Sequence, residues 1–481
     1  MRRPLQRTAG VASAVLALSG AVPPLPALAA AEVASLGITL DAARSVTGET
    51  IRWTATARDE AQAPVVGAEV TVHLPDNAIV AATTTADGIA TGTFVATEPG
   101  TISAYTDDAR ADTVLQLAPV LRLAAPARTA KVFEGVRVAV TETLDASVVL
   151  QRRKAGAEAW TNLYTEFGDP RMSVPLHAGG TGSWQFRAVS KAIDDANILS
   201  ATSNTVTLKV SGAAPVPIKV LNAMRVKSGV RPVYWTSSYN ANMMKHAKWM
   251  ARNRTLCHCE TKGTPGYSPD GDRIARSSLL SGGTGSITST EIVRGLAAAP
   301  LHSVSLMAAP LRGVGVAVTK VKGFSAGGVF QADRAVRDGY RRAVTPWPGA
   351  GSTVPAAYRG ARREQPNPFP LCGAGYSDRT SGLPVWASFG VPFMGAPVVG
   401  YPARVRKARL LENGRTPVTV CVLSTDRVKG NGDNATAVRL GLEAHEAVVL
   451  IPKRPLKAGA SYQASITTQK ETFTWTFRIG K

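Results

Sequence analysis

The stretch Leu221-Asn222-Ala223-Met224-Arg225-Val226-Lys227-Ser228-Gly229-Val230-Arg231-Pro232-Val233-Tyr234-Trp235 decides the fold of the central part of this chain, together with the motifs downstream of it. These are His246-Ala247-Lys248-Trp249-Met250, His258, Ala299-Pro300-Leu301-His302 and Gly313-Val314-Gly315-Val316. Here the spacing of apolar residues becomes helical. Ile218, Leu221 and Met224 recur at three-residue steps, and Tyr239, Met243, Ala247 and Met250 recur at i, i+4, i+8 and i+11 behind the capping candidates Thr236 and Ser237. The spacing predicts a third helix that starts in Thr288-Ser289-Thr290-Glu291 and stops before Pro300, then strands at Gly313 to Val321 and Gly328 to Ala335. Helices bracketing a small sheet make a layered α+β domain.

Upstream the period is two. Ile51, Trp53, Ala55 and Ala57 alternate with Arg52, Thr54, Thr56 and Arg58, and Val70, Val72 and Leu74 alternate with Thr71 and His73, which marks half-buried strands. Turn clusters at Asp76-Asn77, Asp87-Gly88 and Pro99-Gly100 punctuate them as in a β-sandwich. Pro64-Val65-Val66-Gly67-Ala68-Glu69-Val70-Thr71-Val72 and Ala86-Asp87-Gly88-Ile89-Ala90-Thr91-Gly92-Thr93-Phe94 are similar to bacterial Ig-like modules of surface adhesins. A second sandwich, Ig-like or fibronectin-like, is predicted from strands at Val136 to Val140, Ser147 to Arg152, Trp184 to Val189 and Thr205 to Val210. Ser211-Gly212-Ala213-Ala214-Pro215-Val216-Pro217 then reads as a short stiff linker. His73 falls on the solvent side by the alternation, and His177 reads as a surface loop residue.

The chain opens with Arg2, Arg3 and Arg7, an apolar run from Val11 to Val22 and Ala27-Leu28-Ala29, the layout of a secretory signal peptide with cleavage expected after Ala29 or within one or two residues of it. The run is too short to span a bilayer, and no later segment approaches that length. An exported protein, secreted or held non-covalently on the cell wall, is the reading. The formal net charge is +21, and removing the three leader arginines leaves 21 minus 3, +18. For an exported protein that charge points to an anionic wall polymer or lipid headgroup and not to nucleic acid. The oligomeric state is not legible.

Downstream of Trp347-Pro348-Gly349 the chain is proline-rich, then strand-like at Val418 to Leu423, Ala447 to Ile451 and Thr472 to Ile479. The ending from Leu450 to Tyr462 resembles the last hairpin of another bacterial Ig-like unit. His445, between Glu443 and Glu446, reads as surface. Of the four cysteines, Cys372 and Cys421 are each the other's only partner in this region, so they are expected to pair. Cys257 and Cys259 remain open between a close disulfide and free thiols.

The order of motifs from Leu221 to Val318 resembles the CAP domain of cysteine-rich secretory proteins, antigen 5 and plant pathogenesis-related proteins, in its extracellular bacterial (SCP-like) form. The organisation expected is a signal peptide (1–30), an Ig-like β-sandwich (31–118), a second Ig-like or fibronectin-like sandwich (119–211), a CAP domain with an αβα layering (212–346), and a proline-rich segment with a C-terminal β-rich Ig-like unit (347–481). The resemblance implies a cleft holding two histidines and two glutamates, which in several members bind a divalent metal such as zinc. His258 matches the first histidine and His302 the second. The glutamates do not carry over: Ile274-Ala275-Arg276-Ser277-Ser278-Leu279 stands where the family has Gly-Glu-Asn, and Leu296-Ala297-Ala298 stands where the other acid would be. Two imidazoles alone imply a weak, labile site.

Other candidates are local. Glu291 comes one turn too early for a ligand, and its spacing from Thr288 fits a capping box. Glu260 is the acid nearest His258; an extended Cys257 to Glu260 puts the two on one face, but it reads as an exposed loop residue. His246 lies on the apolar side of its helix and reads as core. Cys257-His258-Cys259 lacks a second cysteine pair for structural zinc. Ser277 and Ser278 are alternative nucleophiles for His302, but no Gly-x-Ser-x-Gly elbow surrounds them. Pro269-Asp270-Gly271-Asp272 reads as a turn, without the oxygen ligands of a calcium loop. Loss of both acids favours a secreted, non-enzymatic protein binding an envelope or extracellular ligand, with the Ig-like modules as spacers. The alternative is a metal-assisted hydrolase, a peptidase or lipid-active enzyme, using the cleft histidines.

Overall fold

The computed structural model describes residues 32–125, 128–144, 147–167, 171–334, 344–358, 360–389 and 404–481. The expected signal peptide and its expected cleavage point lie outside them. The molecule is multidomain and strand-rich, and it divides into two compact units, Met1–Leu117 with Asp195–Asn197 and Ala118–Asp194 with Ile198–Lys481.

In the first unit, strands Ser35–Leu40, Thr50–Arg58 and Ile89–Val95 form one antiparallel sheet, and a five-stranded sheet includes Glu69–His73, Gly100–Tyr105 and Arg110–Ala118. Period two becomes burial directly: Ile51, Trp53, Ala55 and Ala57 are all 1% exposed or less, while their neighbours turn outward. His73 is exposed, as the alternation requires.

The second unit begins with another sandwich. Strands Ser147–Lys154, Gly182–Ser190 and Val206–Val210 belong to its larger sheet, and Val136–Thr141 is the centre of a three-stranded one. Val138, Val140, Leu150, Phe186 and Leu208 close the core between them. His177 departs from its surface reading: it is only 4% exposed. Arg152 donates from Nη1 to the His177 carbonyl (2.7 Å) and faces its Nδ1 at 3.2 Å. Burial, and then the Arg152 charge, push the imidazole down to about 3, so it stays neutral.

The central region is built on a four-stranded sheet in the order Tyr234–Trp235, Leu311–Val321, Phe324–Arg334, Ser278–Thr284. Helices α1 (Val216–Lys227), α2 (Ser237–Asn253), α3 (Pro269–Ala275), α4 (Ser289–Ala297) and α5 (Pro300–Leu306) cover it. Met243, Ala247 and Met250 of α2 and Ile274 of α3 pack on one face against Ala317, Ala326 and Phe330. Ile218 and Leu221 of α1, Ile292 and Leu296 of α4 and Val304 of α5 pack on the other against Val314, Val316 and Val329. The helical stripes seen in the sequence are these two buried faces. Thr236 caps α2 by accepting from the Tyr239 amide. The Pro269-Asp270-Gly271-Asp272 turn is corrected to the start of α3, because Ser268 caps it and Pro269 sits at the first position, where a missing N–H costs nothing. Arg225 is fully buried, and its guanidinium donates to the carbonyls of Leu306 (2.9 Å), Ala308 (3.1 Å), Leu311 (3.0 Å) and Arg231 (2.9 Å), which ties α1 to the end of α5.

The C-terminal region has two sheets. Thr345–Trp347, Val385–Ser388, Ala447–Pro452 and Val420–Leu423 form one, and Thr472–Ile479, Ser461–Thr468 and Val405–Glu412 lie in the other. A helix that the Ig-like expectation lacks, α6 (Asp433–Glu443), enters between two strands of the first sheet. The run Ala447 to Pro452 is buried at every residue. Val448 and Leu450 face the second sheet, whereas Val449 and Ile451 join the core that holds α1, α4, α5 and α6. A strand covered on both faces needs an unbroken apolar run. The contact is sealed by the Trp386 indole, which donates to Ser303 Oγ of α5 at 2.7 Å. His445 is corrected from surface to buried, at 9% exposed, with its carbonyl accepting from Ser388 Oγ.

Candidate functional site

His258 and His302 line one cleft of about 780 Å³. His258 comes from the loop between α2 and α3, and His302 from the first turn of α5. Cys257 and Cys259 are disulfide-bonded, and their Cα atoms are 5.1 Å apart. Two residues of extended chain span about 6.6 Å, so the backbone bends here and strand-like alternation does not hold. His258 Nδ1 lies 3.1 Å from the Ala275 carbonyl, which can only accept, so Nδ1 carries the proton.

Glu260 does not pair with His258, and it is not exposed. It is 6% exposed, its Oε1 meets His246 Nδ1 at 3.0 Å, and its Oε2 accepts from the Ser268 amide at 2.7 Å. His246 Nε2 in turn faces the Cys257 carbonyl at 3.0 Å, and its ring stacks on Trp249. Both nitrogens of His246 are engaged, so this residue is core, as its helix face predicted. Gly271 is required beside it, because a Cβ there would run into the Glu260 carboxylate.

His302 has a partner that its own domain does not supply. Glu364, from the segment after Trp347, is 1% exposed at its side chain and accepts three hydrogen bonds. Its Oε1 takes the Leu301 amide (2.7 Å), and its Oε2 takes the His302 amide (3.0 Å) and His302 Nδ1 (2.6 Å). The N-cap residue of α5, Ala299, has no side-chain oxygen, so first-turn amides would be left open; Glu364 supplies the acceptor. The carboxylate also fixes the ring orientation, with Nδ1 turned to it as the donor. The segment is anchored by the Arg362 amide on the Ala298 carbonyl (3.1 Å) and the Ala361 amide on the Ser381 carbonyl (3.1 Å).

The same segment brings Arg362 and Arg363 to the cleft wall, both exposed and in no ion pair among the described residues. Asp378 also lines it. Glu291 lines it as well, but its carboxylate accepts from the Thr288 amide (2.7 Å) and hydroxyl (2.8 Å), the capping box expected from the spacing. Those two bonds lower its pKa. Ser277 and Ser278 are not part of the wall: Ser277 is exposed elsewhere, and the Ser278 hydroxyl is buried and donates to the Ile274 carbonyl at 2.8 Å. Ser281 and Ser286 stand in the cleft instead.

The donor set does not fit a resident metal ion. Among the described residues no group of three or more His, Cys, Asp or Glu side chains is placed to hold one. Glu364 has its oxygens occupied by α5 amides and the ring it orients. Cys372 and Cys421 are bonded, as expected, with Cα atoms 5.4 Å apart. Nothing near His302 in the sequence signals Glu364, which stands 62 positions away; the one hint is the absence of an acceptor at the start of a helix beginning Ala299-Pro300.

Residues 218–330 match the family profile of the cysteine-rich secretory proteins and are a CAP domain. No curated protein matches the chain. Among solved structures it is similar to the Yersinia pseudotuberculosis adhesin InvE (18% identity, 36% of this chain and 58% of that one, TM-score 0.23). It is also similar to the Escherichia coli adhesin FdeC (10% identity, 93% and 97%, TM-score 0.20) and to invasin, a bacterial integrin-binding protein (11% identity, 92% and 79%, TM-score 0.22). The chain thus spans 58% of the length of InvE. Likeness at these scores carries no argument about function. No helix of the described residues is long and apolar enough to cross a membrane.

Proposed function

We propose that this is a secreted, non-enzymatic CAP-domain protein that binds an anionic extracellular ligand in the cleft of His258 and His302, with the Ig-like modules as spacers. The observation that carries the reading is the wall built by residues 362–364: two arginines without ion partners among the described residues, beside an imidazole whose ring Glu364 orients. Guanidinium groups take phosphate and carboxylate oxygens in pairs of hydrogen bonds. Two of the three acids that line the cleft are engaged structurally, Glu291 with Thr288 and Glu364 with α5, and the third, Asp378, is exposed on the wall. A phosphate-bearing wall polymer suits the exported, basic chain, with an anionic lipid headgroup as the other source of the same chemistry.

Pull-down of the full mature chain on purified anionic wall polymer, with anionic and neutral vesicles alongside, tests this. Replacing Arg362→Gln and Arg363→Gln together is expected to weaken binding more than tenfold at low salt, and unchanged binding sinks the reading. A second reading, a hydrolase with His302 Nε2 accepting a proton from water, has one observation in its favour, the 2.6 Å bond to Glu364. Turnover of a peptide or lipid ester that disappears in His302→Ala, with folding intact, would establish it over the first.

A further inference from the structure

A second cavity, of about 160 Å³, lies where the second sandwich meets the central region, and it shares no lining residue with the histidine cleft. Main-chain bonds join the two sides: the Gly135 amide donates to the Trp235 carbonyl (2.8 Å) and the Trp235 amide to the Phe133 carbonyl (3.0 Å). Three arginines converge on the cavity, Arg152 from the sandwich and Arg231 and Arg312 from the central region, and among the described residues no carboxylate lines it. Arg152 is held by its bond to the His177 carbonyl, and Arg231 by donating from Nη1 to the Leu163 carbonyl at 2.5 Å. Arg312 stands at a register shift between Leu311 and Gly313, the kind of irregularity that re-aims a side chain.

Tyr234, on the same wall, is 1% exposed, and its hydroxyl is buried without a hydrogen-bond partner. Two glycines make room for its ring, since a Cβ on Gly135 or on Gly313 would collide with it. Buried polar groups are seldom left unpaired, so a hydroxyl kept open beside three guanidiniums calls for an acceptor. Arg231 and Thr161 are exposed, which opens the cavity to solvent. We propose that this cavity binds a phosphate group, as inorganic phosphate or a phosphate monoester, whose oxygens accept from the guanidiniums of Arg152, Arg231 and Arg312 and from the Tyr234 hydroxyl. A guanidinium carries five N–H donors, so the bonds that place it in the protein do not exhaust it. Three positive charges match a divalent oxyanion better than a monovalent carboxylate, and guanidiniums take phosphate oxygens in pairs of bonds. A cavity of about 150 Å³ takes up benzene, so a phosphate fits here with room for a short ester stem. The site draws part of its wall from the second sandwich, and it is independent of the function proposed for the cleft.

The test uses the full mature chain with inorganic phosphate, glycerol 3-phosphate, dimethyl phosphate and acetate, in calorimetric titrations and thermal melts at fixed ionic strength. Phosphate or the monoester is expected to bind and to raise the melting temperature, as any ligand of the folded state does. Acetate and the singly charged diester should bind about tenfold or more weakly. Tighter binding of inorganic phosphate points to the free ion, and tighter binding of glycerol 3-phosphate to an ester. Arg231→Gln should weaken binding about tenfold or more, the loss of a hydrogen bond to a charged group. If its ligand-free melt shows a folding defect, Thr161→Phe at the exposed mouth replaces it. Tyr234→Phe should weaken binding about threefold while the ligand-free melt stays level or rises, because the buried hydroxyl has no protein partner to lose. The Arg362→Gln and Arg363→Gln variant should retain one bound phosphate, which separates this site from the cleft. No binding of either phosphate, equal binding of acetate, binding unchanged by the Arg231 and Tyr234 variants, or binding that disappears with the cleft arginines overturns the proposal.

Discussion

Two histidines of the CAP region are paired with glutamates, one from the same region and one from beyond it, with almost the same chemistry and different consequences. His246 and Glu260 have side chains that are 0% exposed, and the second ring nitrogen is closed by the Cys257 carbonyl. His302 and Glu364 are 12% and 1% exposed, and among the described residues only Nδ1 of the ring is engaged. The pairing with a carboxylate does not make a site. What separates a structural pair from a candidate binding pair is whether the other nitrogen has a protein partner, and that depends on which elements close over the ring.

The largest effect that could break this distinction is expected at the structural pair. His246→Ala leaves the Glu260 carboxylate buried without its partner, which costs about 3 to 5 kcal/mol. Calorimetry should show the loss, with Gly271 and α3 destabilised; a variant as stable as the wild type would mean the pair is not holding the loop. At the other pair, Glu364→Gln removes a charged acceptor from two amides and a ring, an expected cost of about 2 to 3 kcal/mol. It should also weaken ligand binding by freeing the ring, whereas His302→Ala should lower binding with a smaller stability cost. If Glu364→Gln alters stability alone, the carboxylate is a helix cap and nothing more.

A buried histidine beside a cation sharpens the contrast. His177 has a folded pKa of about 3, below the ordinary 6.5. Between those values the unfolded chain binds the extra proton, so stability is full above the upper value and is lost as pH falls toward the lower one. By pH 5 the loss should reach about 2 kcal/mol relative to neutral pH, and His177→Gln should remove that part of the slope in melts followed against pH. The smallest effect concerns zinc at His258 and His302. Two imidazoles without a matched carboxylate imply weak binding, and at a zinc concentration equal to the dissociation constant the stabilisation is only about 0.4 kcal/mol. Melts of the wild type and of the His258→Ala and His302→Ala double variant check it. An equal zinc shift in both places the metal elsewhere.

Much of this fold was legible because the signals were periodic. Alternation placed the strands Thr50–Arg58 and Val206–Val210 within a residue or so, and the α2 stripe with its Thr236 cap placed Ser237–Asn253. The Glu291 capping box and the Cys372 to Cys421 bond came from local spacing and from counting partners. The histidines were placed by motif order. Errors fell where burial contradicted local polarity. Pro269-Asp270-Gly271-Asp272 looks like a turn until Ser268 caps it, and His177, His445 and Glu260 sit in polar sequence that other elements cover.

By itself the sequence determined the sandwich strands and helices α1, α2 and α4 over the central sheet, because each rests on contacts within a short stretch or on a repeated spacing. Only the tertiary structure decided that Glu260 belongs to His246 and Glu364 to His302, and that Arg362 and Arg363 line the same cleft. The Glu260 pairing depends on the α2–α3 loop folding back over α2, and the placements of Glu364, Arg362 and Arg363 on the C-terminal sheet burying its second face against α1, α4 and α5. That surface is assembled from segments more than a hundred residues apart, and no periodicity along the chain encodes which carboxylate it brings to which ring.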